Sequence, residues 1–311
     1  MNVAVSIIVS TRNRAEYTRR FLNSLQYVTV GPDCRWELVL VDNGSTDHTA
    51  ELVHSFCQEA NYPIKFHTEK QRGKSRALNM GIAAAQGTVL AFTDDDVFVS
   101  PDWIKIICDY FDQNHDIDCI GGTVLLFNPQ DAPITIKLSQ EPAVVDAASF
   151  APDDIPILGC NMAIRADALK EIGPFDIDIG PGATIVAGED LDMLYRLVRR
   201  GHSIAYVPEM LVYHNHGRRS QKDVQDLKTG YMVGRGAFYT KYLLQKDGLV
   251  ALWAYREIKS ILLRDLPKIP YNQKSRQHLK DLFHILSGAS TYLQIYSKYR
   301  SFLNHNINYG N

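Results

Sequence analysis

No stretch of about 18 uncharged apolar residues occurs in this 311-residue chain, so no segment reads as a membrane span. The five cysteines (Cys34, Cys57, Cys108, Cys119 and Cys160) include no C-x-x-C pair. Their odd number and scatter read as reduced, buried thiols of a cytoplasmic protein. A basic excess is also missing. Lys and Arg number 33 against 35 Asp and Glu, for a net charge of −2, which argues against a general nucleic-acid-binding surface. The N-terminus lacks a basic leader, and its apolar run soon meets Arg12 and Arg14, so it reads as a first strand rather than a signal peptide. Internal repeats and low-complexity tracts are absent.

What is present is an alternation. Apolar, β-branched runs at Val3–Ser10, Trp36–Val41, Ile64–Thr68 and Thr88–Thr93 are separated by helix-patterned segments at Tyr17–Leu25, Thr46–Glu59 and Ser75–Ala85, and a fourth such segment, Asp102–Asn114, follows. Strands alternating with helices predict an α/β fold with a mostly parallel, Rossmann-like sheet flanked by helices. A strand at Ile120–Phe127 comes next, then a Pro- and Asp-rich irregular excursion at Asn128–Pro156. Short strands are expected at Ser203–Val207 and Leu211–His214, on either side of Pro208. Beyond Asp223 the pattern is helical, with Pro267 and Pro270 as a break. Between Lys241 and Arg300 there are eleven Lys and Arg against four Asp and Glu, so an acidic front is joined to a basic tail. The expected organisation is residues 1–222 as one domain, with halves 1–100 and 101–222, and residues 223–311 as a helical extension.

Polar groups recur where the early strands end: Thr11, Asp42 and then Asp94-Asp95-Asp96. In α/β sheets, ligands bind at those carboxyl ends. Three adjacent carboxylates repel one another, and a bound cation relieves that. Hard oxygens suit Mg²⁺ or Mn²⁺, and Asp94 and Asp96, two apart in an extended segment, can face one ion. The competing reading is a solvated acidic turn before the Asp102 helix. Asp42 is either a ribose or base acceptor or an Asx turn. Arg72-Gly73-Lys74-Ser75-Arg76 is a basic helix start suited to a diphosphate, or a solvated loop; its glycine spacing is not that of a Walker loop. Glu189 and Asp190 open a helix after a Gly-rich loop. They are either dipole partners or carboxylates placed to deprotonate a hydroxyl. His214 ends a strand and is either structural or a metal ligand.

These blocks, in order, resemble glycosyltransferase family 2, the inverting enzymes of GT-A fold. The likeness runs through Val5–Arg14, Leu40–Asp47, Gly73–Gly81, Phe92–Asp96 with Pro101-Asp102-Trp103, Gly159–Asn161, Gly173–Asp176, Gly188–Asp192 and Tyr213-His214, and it covers roughly residues 1–220. Asn43 stands where a second acid is frequent. The resemblance implies a nucleotide-diphosphate sugar donor, a UDP-sugar for preference, held by Thr11, Arg14, Asp42, Lys74, Arg76, Asp94 and Asp95. It implies Mn²⁺ or Mg²⁺ on Asp94, Asp96 and His214. Asp190 would be the base and Glu189 its neighbour on the acceptor side, for a glycan or lipid-linked acceptor. A sugar nucleotidyltransferase and a non-catalytic nucleotide-sugar binder are the alternatives. No nucleic-acid partner is expected. The basic, aromatic tail suits packing on the catalytic domain, contact between subunits, or peripheral contact with the inner face of a membrane.

Overall fold

The computed structural model describes residues 4–32, 34–265 and 273–307. Val3, Leu266, Pro267, Lys268, Pro270 and the side chain of Arg264, all of which figured in the expected elements, lie outside the described residues. In chain order the elements are β1 (Val5–Thr11), α1 (Ala15–Leu25), β2 (Trp36–Asp42), α2 (Thr49–Glu59), β3 (Ile64–Thr68), α3 (Lys74–Ala84), β4 (Val89–Phe92), β5 (Val97–Val99), α4 (Trp103–Gln113), β6 (Cys119–Leu126), β7 (Ala143–Val145), a 3₁₀ turn (Gly159–Asn161), β8 (Met162–Arg165), α5 (Ala166–Ile172), α6 (Glu189–Arg199), β9 (Ile204–His214), α7 (Gln221–Leu244), α8 (Gly248–Ser260) and α9 (Gln273–Ile307).

The strands form one sheet in the order β3-β2-β1-β4-β8-β6-β9-β5, with β7 paired to β9. The first four strands of that order are mutually parallel, as the alternation predicts. The remainder is mixed. β8 runs antiparallel to both β4 and β6, and β5 and β7 run antiparallel to β9. β7 lies within the segment expected to be irregular; Ala143-Val144-Val145 is apolar, but it is only three residues long and mostly exposed. β9 runs unbroken through Pro208 because the partner strand yields there. The β6–β9 register shifts between Gly122 and Val124, the Pro208 carbonyl accepts from Thr123 Oγ1 at 2.8 Å, and a Cβ at Gly122 would collide with the carbonyls of Val207 and Met210. A bulge is where a strand tolerates proline.

Burial follows the sequence pattern. Val5, Ile7, Ile8 and Val9 of β1 are fully buried, as expected of a strand covered on both faces. Phe21, Leu22 and Leu25 of α1 and Trp103, Ile104 and Ile107 of α4 share one core cluster with β1 and β2. Each such side chain contributes about 1.5–3 kcal/mol. Tyr17, the first residue of the segment expected to be helical, lies at the surface under the Arg14 guanidinium, whose carbon is 5.4 Å from the ring centroid.

The thiol expectation is corrected at one pair. Cys34, ahead of β2, and Cys108, on α4, form a disulfide with Cα atoms 6.3 Å apart, while Cys57, Cys119 and Cys160 are free. The two cysteines are 74 residues apart, and the crossovers that bring them together are invisible to a spacing rule.

The chain divides into two compact units. One is Met1–Ile177 with Asp190–Val224; the other is Asp178–Glu189 with Gln225–Asn311. In the second, the loop closed by Gly180 N–H to Ile185 O (2.8 Å) sets Ile179 and Ile185 against Ala237 of α7. Tyr299 donates to Asp178 at 2.9 Å, Arg235 pairs with Glu257 at 3.0 Å, and Asp247 caps α8 through the N–H groups of Leu249 and Val250. Among the described residues no helix is long and apolar enough to cross a membrane.

Candidate active site

The site is built where β1, β2 and β4 run out. Register places Thr11 opposite Asp42. After β4 the chain turns through Asp94-Asp95-Asp96 and returns as β5 along β9. Val97 pairs with His214, and Asn215 N–H donates to the Asp96 carbonyl at 2.8 Å. This pairing delivers a histidine 118 positions downstream to the acidic turn. One ligand atom each from Asp94, Asp96 and His214 lie within 4.8 Å of one another, and His214 Nε2 is 3.4 Å from Asp96 Oδ1.

The donor set fits a divalent cation. The Nδ1 of His214 lies 3.3 Å from Thr135 Oγ1 and 3.4 Å from the Thr135 carbonyl oxygen. A carbonyl only accepts, so Nδ1 carries a hydrogen, and Nε2 is the ring nitrogen that faces the Asp96 carboxylate. Two hard oxygens and one imidazole are ordinary ligands for Mn²⁺ or Mg²⁺.

The three aspartates are not equivalent. Asp94 is the most open and pairs with Lys74 Nζ at 2.6 Å. Both oxygens of Asp95 are taken up by protein, Oδ2 by Thr11 Oγ1 at 2.7 Å and Oδ1 by Arg14 at 2.8 Å. Burial pushes the Asp95 carboxyl up to about 6, with the Arg14 charge opposing it. Burial acts the same way on Asp96, but His214 and Arg14 outweigh it and hold that carboxyl well below the usual range. Arg14 Nη1 binds Asp95 and Asp96 at once, each at 2.8 Å. Although burial alone would lower it, the paired carboxylates raise the guanidinium further above its ordinary value.

Of the residues expected on the donor side, Thr11 is buried and its hydroxyl is shared between Asp95 and Thr18 (2.8 Å). Asp42 accepts from Ser45 N–H at 3.1 and 3.2 Å and from Ser45 Oγ, an Asx-type turn. Lys74 and Arg76 lie on the first turn of α3. That turn is held in place by Asn43, which donates to the carbonyls of Glu69 (3.1 Å) and Gln71 (2.8 Å) and accepts from Gly73 N–H (2.8 Å). An acid at position 43 would lack the two donors, so the amide serves the loop here.

Asp190, at the start of α6, accepts from Gly159 N–H at 2.9 Å. Burial pushes its carboxyl above the usual range. The Lys74 charge and the Gly159 hydrogen bond oppose that rise, and Asp94 adds to it. The influence of Lys74 and Asp94 places the carboxylate in the same electrostatic neighbourhood as the acidic turn. Glu189 is buried one residue earlier. Further along α6, Arg196 binds Asp192 at 2.9 Å and the carbonyls of Ile172, Gly173 and Pro174 at 2.7–3.0 Å. Asn79 of α3 bonds both backbone groups of Phe175 at 2.8 Å. The helix that carries the candidate base is thereby tied to the Gly173–Phe175 loop and so to α3.

Two supporting residues carried little or no sequence signal. Asn161, wholly buried behind the site, accepts from Trp103 Nε1 (2.8 Å) and donates to the carbonyls of Thr123 (3.1 Å) and Met210 (2.7 Å). It belonged to a recognised block, but with no role. Thr135 lay in the irregular excursion, where nothing marked it.

Comparison with known proteins bears on the family and the fold. Glycosyltransferase AglE of Haloferax volcanii is 25% identical over 271 residues, 86% of this chain and 83% of that protein. The chain spans about half of several other curated relatives, 54% and 46% of their lengths. Among solved GT-A structures, residues 1–349 of TarS from Staphylococcus aureus in complex with UDP-GlcNAc align with a TM-score of 0.63 at 18% identity, covering 96% of this chain and 92% of that one. A mannosyltransferase from Pyrobaculum calidifontis in complex with GDP-Man and Mn²⁺ aligns with a TM-score of 0.60 at 15% identity, over 94% and 88%. The family model for glycosyl transferase family 2 matches residues 6–173, more than half of the chain and the stretch that carries the acidic turn, and the chain belongs to that family.

Proposed function

We propose that the protein is an inverting, metal-dependent glycosyltransferase that moves a sugar from a nucleotide-diphosphate donor, a UDP-sugar, to a hydroxyl of a glycan or lipid-linked acceptor. The observation that carries this reading is the convergence of Asp94, Asp96 and His214 in one electrostatic neighbourhood with Asp190. Solved neighbours that hold UDP-GlcNAc, or GDP-Man with Mn²⁺, support a nucleotide-sugar donor and a divalent cation.

In this reading Asp94, Asp96 and His214 hold Mn²⁺ or Mg²⁺, which when bound offsets charge on the departing diphosphate. Lys74 and Arg76, on the first turn of α3, add fixed positive charge for the phosphates. Arg14 fixes the Asp96 carboxylate and is itself held by Asp95, which Thr11 anchors in turn. Asp42 and its turn border the nucleoside end. The raised carboxyl of Asp190 makes it a better proton acceptor than an ordinary aspartate, and it deprotonates the acceptor hydroxyl as that oxygen attacks the anomeric carbon from the face opposite the leaving group. The acceptor proton passes to Asp190, the C–O bond to the diphosphate breaks, and the configuration inverts. Residues 1–222 would supply this machinery, with 1–100 serving the donor and 101–222 the acceptor.

The tail is proposed to bring the enzyme to its acceptor. Tyr255, Leu263, Phe283 and Leu286 are exposed on a segment rich in Lys and Arg, a combination suited to an anionic membrane face. Cytoplasmic action at the inner membrane face follows from that reading.

A panel of nucleotide sugars with Mn²⁺, read out as nucleoside diphosphate release with and without acceptors, tests the proposal. Activity with one donor, lost in Asp96→Ala and His214→Ala with their folds retained, is the expected result. Release of pyrophosphate from a nucleoside triphosphate would instead identify a nucleotidyltransferase, and donor binding without turnover a non-catalytic binder.

A further inference from the structure

Thr135 has φ +52°, in the left-handed region, where a β-branched residue is a genuine outlier. Such strain persists only where the surroundings over-determine the backbone, and it concentrates at functional sites. Here the segment is fixed on both sides. On one side, buried Asp131 accepts from Gly217 N–H (3.0 Å) and Arg219 Nε (2.9 Å), and Ala132 N–H donates to the Arg218 carbonyl (2.8 Å). On the other, Lys137 exchanges both backbone hydrogen bonds with Val124 of β6 (2.9 and 3.0 Å), and its ammonium reaches the Ile155 carbonyl at 2.9 Å. The left-handed residue between these two clamps meets the His214 ring. The Thr135 hydroxyl donates to the Ile134 carbonyl at 2.7 Å, so toward Nδ1 its oxygen can only accept, as the Thr135 carbonyl must. Two acceptors on one ring nitrogen fix both its tautomer and its tilt.

We infer that Thr135 is a positioning residue that holds His214 with Nε2 turned toward Asp96, and that its strained backbone is retained for that purpose. The inference rests on the reading of His214 as a metal ligand. Partners that orient a ligating histidine are typically worth roughly 10–100-fold in metal affinity. A strained residue without a task predicts the reverse pattern, because glycine at φ +52° relieves the strain and costs no ligand.

The experiment is Mn²⁺ binding to the intact chain, read from loss of the free-ion EPR signal, together with thermal melting of the metal-free protein. Thr135→Gly is expected to weaken Mn²⁺ binding about tenfold or more while Tm stays level or rises. Thr135→Ser, which keeps the hydroxyl, is expected to recover most of the affinity. Wild-type affinity in Thr135→Gly would overturn the inference, and so would Tm falling in step with affinity in both variants. His214→Ala separates the two levels of the argument. If it binds Mn²⁺ as the wild type does, the ligand assignment fails and takes the inference with it. If it loses binding while Thr135→Gly does not, only the inference fails.

Discussion

A methyl group built on Gly159 would lie 2.7 Å from the carboxylate atoms of Asp190, the same carboxylate that accepts the Gly159 N–H at 2.9 Å. The glycine is therefore the floor on which the candidate base rests. Gly159→Ala forces the carboxylate to move, and a carboxylate at the end of a side chain moves at little cost to the fold. Displacing a reacting group by about 1 Å costs about 100-fold in rate. We expect transferase turnover to fall by about that factor, with donor affinity and Tm nearly unchanged. Full activity in the alanine variant would show that Asp190 does not need this seat.

Burial, the largest influence on Asp190, raises its carboxyl above the usual range, and this sets two pH dependences. A base works deprotonated, so activity should rise with pH through an acidic limb lying above the ordinary carboxylate value of about 4. Stability runs the other way. The folded state binds this proton more tightly than the unfolded chain, so stability falls as pH rises from the ordinary value through the raised one, and the deficit persists above it. Asp190→Asn should therefore inactivate the enzyme yet melt higher than wild type at pH 7–8 in metal-free buffer. An equal or lower Tm for the variant across pH 5–8 would refute the burial argument.

The Cys34–Cys108 bond closes a 74-residue separation. By loop-closure entropy a cross-link of that span contributes about 4 kcal/mol. Oxidised protein digested without reductant should yield one linked peptide containing these two cysteines. Cys57, Cys119 and Cys160 should alkylate only as single thiols after unfolding. Reductant should lower Tm by several degrees, and Cys34→Ser should reproduce that loss. The redox state of the pair in cells also reports on compartment. A persisting bond speaks against the proposed cytoplasmic location, where such bonds are rare.

Much of residues 1–100 was legible because its signals are local. The β-branched runs of β1 and β2, the small-residue helix α3 and the acidic turn each announce themselves within a dozen residues, and short crossovers leave little choice of neighbour. What escaped reading depends on distant partners. β8 looks like any short extended segment, and only its pairing with both β4 and β6 makes it an antiparallel insertion. Pro208 argued for a break, which the Gly122 bulge on another strand removes. The roles of the three aspartates are set by Thr11, Arg14, Lys74 and His214, and adjacency in the chain says nothing about which carboxylate each partner takes. Thr135 is legible only from a backbone angle and a ring 79 residues away.

Glu37 offers a test of the fold that is independent of the chemistry. It is buried on β2, pairs with Lys65 of β3 at 2.8 Å, and accepts from Ser6 Oγ of β1 at 2.7 Å and from Gln86 N–H at 2.9 Å. Burial by itself would raise this carboxyl, but these donors outweigh it and hold it below the ordinary value. A lowered folded-state value means the ionised group stabilises the fold. That stabilisation is complete above the ordinary glutamate value of about 4.3 and is lost as pH falls through the lowered one. Glu37→Gln keeps the shape but leaves Lys65 without its counter-charge, and it should cost about 1–3 kcal/mol at pH 7. The difference from wild type, followed by urea unfolding, should shrink steadily below about pH 4 as the native carboxylate takes up its proton. A difference that holds constant down to pH 3 would mean that the contribution comes from shape and hydrogen bonding alone, and that the three strands β1, β2 and β3 are not joined by this charge.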